Sequence, residues 1–286
     1  MAIRLLNRVP KEGQEEMTFV DHLEALRWHI TRSLLAIIVV GIVIFLNIDW
    51  IFDYVIAGPL QNDFVTYKGL CSLGNWLHLG NSFCMPPITI KMQTTAFSSQ
   101  FMSSITIAFM GGFIASFPYI FWEFWRFVKP ALKPTEVKHA QGIIFWVSFF
   151  FFLGAAFGYF LLGPFTFNFL SNYTIGNSHL LEAKPTLDDY LDNLLNLILG
   201  CGIAFELPVL SYALTKIGLI TPAFLKSTRK YAIVVILVVS AVITPSPDWT
   251  SQLLVFVPLY LLYQLSIVVS KRAFKENEAK EKEEWD

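Results

Sequence analysis

The chain has 286 residues, of which 55% are hydrophobic and only 15% charged, where a soluble domain carries about 25% charged residues. That balance excludes a water-soluble globular fold, and a formal net charge of -1, segregated along the chain, excludes a basic nucleic-acid face. Composition therefore predicts an all-α, polytopic membrane protein.

Residues 1–17 are polar and read as an N-terminal extension. The hydroxyl of Thr18, followed by Asp21, marks a helix start. Phe19, Leu23, Leu26 and Ile30 then recur at helical spacing, with Asp21, His22, Glu24 and Arg27 on the other face. Such a helix lies on the membrane surface before turning into the first span; a plain surface anchor fits the same pattern. No small-residue cleavage site follows the first apolar run, so this run is expected to act as an uncleaved insertion signal.

Six apolar segments follow, over 33–50, 101–125, 142–163, 194–215, 231–243 and 253–270. The first four are long enough to cross ~30 Å of hydrocarbon as helices. The fifth offers only ~20 Å at 1.5 Å per residue, and reads as either a re-entrant or buried element or a short span. Charge distribution favours the span. Of the 21 Lys and Arg residues, all but Lys68, Lys91 and Lys184 lie before span 1, between spans 2 and 3, between spans 4 and 5, or after span 6. Positive charge resists translocation, so six crossings with both termini in the cytoplasm are expected. Spans 5 and 6 would then thin the bilayer locally.

Segment 50–95 falls on the outer side and is broken by Pro59, Gly69, Gly74, Gly80 and Pro86-Pro87. It carries Cys71 and Cys84, either two free thiols or, as we expect, a disulfide that adds ~3 kcal/mol in the loop-entropy model. Span 2 ends in an aromatic belt from Tyr119 to Phe127, where Glu123 is expected to pair with Arg126 at the interface. In the second outer segment, Thr186 reads as a helix cap, with Asp188 and Asp189 complementing the helix dipole. The charged tail, 273–286, reads as a solvated extension of a membrane domain spanning 18–272.

Span 4 holds Glu206 deep in an apolar run, where a carboxylate costs at least ~2.5 kcal/mol on insertion scales. Pro208 cannot donate a backbone hydrogen bond, so the helix should kink beside the acid. Glu206 is either a neutral carboxyl hydrogen-bonded in the bundle or, as we prefer, a group facing a concave, partly hydrated cavity; Gly200 and Gly202 allow either close packing or such an opening. Cys201 reads as packing. All five His residues fall outside the spans, and the sequence lacks zinc-protease, serine-hydrolase and phosphate-loop motifs. Enzymatic chemistry and a bound cofactor or metal are not expected.

Four strings in chain order resemble the TatC family, the multispanning receptor subunit of the twin-arginine protein translocase. His22-Leu23-Glu24-Ala25-Leu26-Arg27 is similar to its N-terminal His-Leu-x-Glu-Leu-Arg signature. Phe127-Val128-Lys129-Pro130-Ala131-Leu132, followed by Glu136, resembles its first cytoplasmic loop. Phe205-Glu206-Leu207-Pro208 is similar to its Phe-Glu-x-Pro, and Thr244-Pro245 through Asp248 to Ser251-Gln252 resembles the turn between its last two spans. This chain departs from the signature at Ala25, where the family usually has Glu. The neighbouring Glu24 is rotated ~100° around a helix from that position. The last turn also carries an extra residue before Asp248.

The resemblance implies a receptor for Arg-Arg signal peptides of folded cargo proteins, in the bacterial cytoplasmic (inner) membrane. It also implies single-span partners of the TatA and TatB type, oligomeric assembly and use of the proton-motive force. Paired guanidiniums are best read by carboxylates, which makes Glu136 the first candidate, with a solvated helix-capping acid as its plain alternative. Phe127, Arg27, Glu24 and Glu206 are the further candidates for the peptide. Thr244 and Gln252 would offer hydrogen bonds to a partner's membrane helix, or simply satisfy their own turn. The competing function is a small-molecule or ion-coupled transporter using Glu206, although no internal repeat of the kind such proteins show is visible.

Overall fold

A computed structural model describes residues 19–76, 78, 84, 92–129, 142–173, 184–244 and 249–285. The described residues are helical almost throughout. Between helices, an isolated bridge between Gln93 and Thr186 ties the segment before the second long helix to the start of the fourth. In chain order the main helices are α1 (Phe19–Leu46), α2 (Val65–Trp76), α3 (Ser99–Val128), α4 (Ile143–Phe157), α5 (Gly163–Asn172), α6 (Leu187–Ala204), α7 (Leu207–Lys216), α8 (Pro222–Ser227), α9 (Arg229–Ile243) and α10 (Trp249–Trp285).

Five stretches are long and apolar enough to cross a membrane: His22–Leu46, Ser99–Val128, Ile143–Asn172, Leu187–Lys216 and Ser251–Ala279. Helix α9, with 15 residues, is shorter than these, as its sequence implied. Leu34, Leu35, Ile38 and Ile42 of α1 and Val234, Val238 and Val242 of α9 are exposed. These faces suit hydrocarbon, because the helices satisfy their own backbone groups.

Three boundaries differ from the sequence reading. Helix α1 runs unbroken from Phe19 to Leu46, so no turn separates a surface helix from span 1. No Gly or Pro interrupts that passage until Gly41, and the Thr31 and Ser33 hydroxyls donate back to the carbonyls of Arg27 and His29, one turn earlier. Span 3 continues beyond residue 163 through a π-helical stretch, Gly158–Leu162, into α5. Pro164 is tolerated there because its missing N–H falls at the start of a new helical ladder. Finally, the charged segment after residue 272 is helical. Its first part packs on α7, with Ala273 buried and Asn277 donating to the carbonyls of Thr215 and Lys216 at 3.4 and 3.1 Å.

Close helix contacts are made possible by glycine. A Cβ on Gly112 of α3 would lie 2.7 Å from the Ile37 carbonyl oxygen of α1, and one on Gly158 would lie 2.5 Å from the Leu197 carbonyl oxygen of α6. Small residues let membrane helices gain dispersion contacts where no hydrophobic drive operates between them. Helix α6 is the axis of the bundle. Its Leu197 and Cys201 join a core with Ile236 of α9 and Val255 and Leu259 of α10, while Tyr190, Leu191 and Leu194 join another with Ile107 of α3 and Phe167 of α5.

The start of α6 is held as the residues suggested. Thr186 accepts a hydrogen bond from the Asp189 N–H at 3.2 Å. Asp188 accepts from the hydroxyls of Ser99 and Ser103 of α3, at 2.6 and 2.7 Å, so it binds a neighbouring helix as well as its own dipole. Cys71 and Cys84 are joined by a disulfide, with Cα atoms 4.4 Å apart. Nearby, Tyr67 donates to the Pro59 carbonyl at 2.8 Å, and burial holds its hydroxyl above the ordinary phenol range.

Candidate functional site

The break in span 4 places Glu206. Helix α6 ends at Ala204, the Phe205 and Glu206 amides bond back to Cys201 and Ile203, and α7 begins at Leu207 with Pro208 in its first turn. Pro208 has no N–H to continue the ladder, so the chain re-aims there. Glu206 then lines a concavity of about 1860 Å³ whose wall includes Phe121, Trp125, Val209, Tyr231 and Val235. That exceeds the ~300–1,000 Å³ of ordinary small-ligand pockets. Glu206 is the only carboxylate among its described lining residues, and Lys216 and Asn277 lie on the same wall. Its Oε1 is buried with no hydrogen-bond partner among the described residues, which is costly unless water or an incoming polar group meets it.

A second group of residues gathers where α1 begins and α3 ends. The His22 ring stacks on Phe127, with centroids 4.3 Å apart and planes at 27°. One face of α1 and the last turn of α3 therefore form a single surface, from which the chain leaves into residues 130–141. Glu24 and Arg27 are exposed and pair with each other at 3.4 Å, one helical turn apart. Glu24 is thus turned toward Arg27, and Ala25 presents no acid. Glu136 lies outside the described residues.

Sequence reasoning missed the centre of this end. Glu123 is not an interfacial acid paired with Arg126 alone: it is 1% exposed. His29 Nδ1 lies 2.5 Å from its Oε2, and the Tyr119 hydroxyl donates to Oε1 at 3.1 Å. Arg126 and Arg32 stand at 3.5 and 3.9 Å. The available signal was spacing. Tyr119, Glu123 and Phe127 repeat every four residues on α3, and His22 and His29 lie seven apart on α1, so each set shares a face.

Thr244 and Gln252 flank residues 245–248, which lie outside the described residues. The Thr244 hydroxyl is buried and donates to the Ser240 carbonyl at 2.9 Å. Gln252 donates to the Leu237 carbonyl at 3.2 Å, joining α10 to α9. Among the described residues no three His, Cys, Asp or Glu side chains are grouped to hold a metal ion.

Comparison with known proteins agrees with this architecture. The family profile described as Sec-independent protein translocase protein (TatC) matches residues 21–258. A Sec-independent protein translocase protein TatC from Blattabacterium sp. subsp. Periplaneta americana is 42% identical over 261 residues, covering 91% of this chain and 97% of that one. Its counterpart from Aquifex aeolicus is 32% identical, covering 90% and 96%. A crystal structure of a twin arginine translocase receptor, TatC, superposes with a TM-score of 0.66 at 31% identity, covering 88% of this chain and 99% of that one. These are protein-translocation receptors rather than enzymes. With its multi-pass helical bundle matched along most of its length, the chain belongs to the TatC family and is a membrane component of the twin-arginine, Sec-independent protein translocase.

Proposed function

We propose that this chain is the core receptor subunit of the translocase, binding Arg-Arg signal peptides of folded cargo at the end where α1 and α3 meet. The observation that carries the reading is the His22–Phe127 stack. It unites two strings far apart in sequence into one surface, from which the segment bearing Glu136 departs. Glu136 supplies a carboxylate for a guanidinium, and Phe127, Arg27 and Glu24 are the further residues assigned to the peptide. The apolar part of the signal then lies along the concavity toward Glu206, whose free oxygen would meet its polar groups. An open groove of this size suits an extended chain better than a small solute.

Six crossings follow if α9 spans a locally thinned bilayer, and the Lys and Arg distribution then puts both termini in the cytoplasm. The membrane is the bacterial cytoplasmic membrane. Single-span partners of the TatA and TatB type dock near Thr244 and Gln252 on α9 and α10, assemble into an oligomeric receptor complex, and move cargo with the proton-motive force. Photo-crosslinking tests the central claim. An Arg-Arg peptide should crosslink to α1 and to the end of α3, and a Lys-Lys peptide should do so far less; equal labelling by both would refute it. Uptake of a small solute by the purified protein would instead favour an ion-coupled transporter using Glu206.

A further inference from the structure

Glu123 has no part in the peptide surface just described, yet it is the one carboxylate in the buried set among the described residues. Its partners come from two helices: His29 and Arg32 from α1, Tyr119 and Arg126 from α3. Phe127 lies one turn beyond it on the same face of α3. His29 also meets the edge of the Phe127 ring, with centroids 6.1 Å apart. Deeper in the membrane, α1 and α3 are pressed together through Gly41 and Gly112. Toward the peptide surface that close backbone approach gives way to the Glu123 contact and the ring stack above it. Hydrogen bonds between named partners fix rotation and register of the two helix ends, whereas an apolar contact there would tolerate sliding.

We propose that Glu123 and His29 are positioning residues for signal-peptide recognition, clamping the His22-to-Arg27 face of α1 against Phe127 so that both halves of the site meet one peptide. This rests on the signal-peptide reading above. Without the clamp the glycine-packed parts of α1 and α3 stay together while their ends splay, and the peptide can engage only one half at a time.

The test uses the full chain in detergent, titrated with an Arg-Arg peptide bearing a photoreactive residue beside its arginines. Glu123→Leu removes the acceptor, Glu123→Gln keeps one acceptor oxygen for Tyr119 and turns an amide N–H donor toward the His29 ring nitrogen, and His29→Leu removes the other partner. We expect Glu123→Leu and His29→Leu each to weaken binding at least about tenfold, and to keep crosslinks to one segment while losing the other. Glu123→Gln should stay within about threefold of wild type with both crosslinks. The double Leu variant should be no worse than either single one, since the pair acts as a unit. A purely structural role would lower the melting temperature but leave affinity and both crosslinks of the folded fraction unchanged; that result overturns the proposal. Should Glu123→Leu fail to fold, His29→Leu, at a partly exposed residue, gives the same readout. Wild-type protein that crosslinks to neither segment overturns the signal-peptide reading and the clamp together. Wild-type crosslinks that survive both Leu variants at full affinity overturn the clamp alone.

Discussion

Replacing Glu206 with leucine should stabilise the isolated protein while impairing transport. Its Oε1 is buried without a hydrogen-bond partner among the described residues, on the wall of an apolar concavity. A buried polar group left unsatisfied costs ~1–3 kcal/mol. Because the residue is only partly buried, the low end of that range applies, so Glu206→Leu should gain about 1–1.5 kcal/mol. For a chain of this length that is a rise of roughly 2–6 °C in melting temperature. Glu206→Gln keeps the shape and the orphaned oxygen, and should melt close to wild type. Melting is followed by intrinsic fluorescence in detergent, and transport of an Arg-Arg cargo is followed in vesicles containing the partner subunits. If transport survives Gln but fails with Leu, the polar group matters more than its ionisation. A Glu206→Leu protein that melts no higher than wild type and transports normally would refute the reasoning, because the carboxyl would then be neither strained nor used. The opposite signs expected for stability and activity are those of a site kept for function.

Glu136→Gln should weaken Arg-Arg peptide binding by about 1.5–3 kcal/mol, the worth of a charged hydrogen bond; unchanged affinity at low ionic strength would remove Glu136 from the site. Replacing Cys71 and Cys84 with serine should cost about 3 kcal/mol in the loop-entropy model, read from denaturant unfolding, and mass spectrometry of unreduced peptides should recover the linked pair; two freely alkylated thiols would contradict it. Gly158→Ala should destabilise the bundle by about 1–3 kcal/mol, because its Cβ would meet the Leu197 backbone, which has little room to move; a neutral effect would mean that span 3 and α6 are not in close contact. Crosslinks from α9 and α10 to a single-span partner should cluster around Gln252, and crosslinks confined to other helices would relocate the docking face.

Much of the fold was legible because insertion into a bilayer is decided locally. Apolar runs, Lys and Arg placement and helix caps are read within one segment at a time, which is why the long spans, the Thr186 cap and the break at Pro208 could be anticipated. Glu206 was legible for the same reason: a carboxyl in an apolar run beside a proline is conspicuous without any partner. Boundaries were less so. The passage through Pro164 depends on a local π-helical turn, and the helical course of the charged segment around Asn277 depends on its docking against α7.

Tertiary structure alone decided which faces meet. Glu123 and His29 are 94 residues apart, and each looked like an ordinary polar residue near a membrane interface. Only the packing of α1 on α3 turns them into one enclosed contact. The concavity is likewise a property of no single segment, since its wall is drawn from α3, α4 and every helix from α6 to α10. The sequence by itself determined which segments enter the bilayer, because transfer free energy sums along a local window. Lateral arrangement was left to the three-dimensional fold, because side chains that meet across helices are specified by shape and hydrogen bonding between distant residues, and neither leaves a periodic trace in the chain.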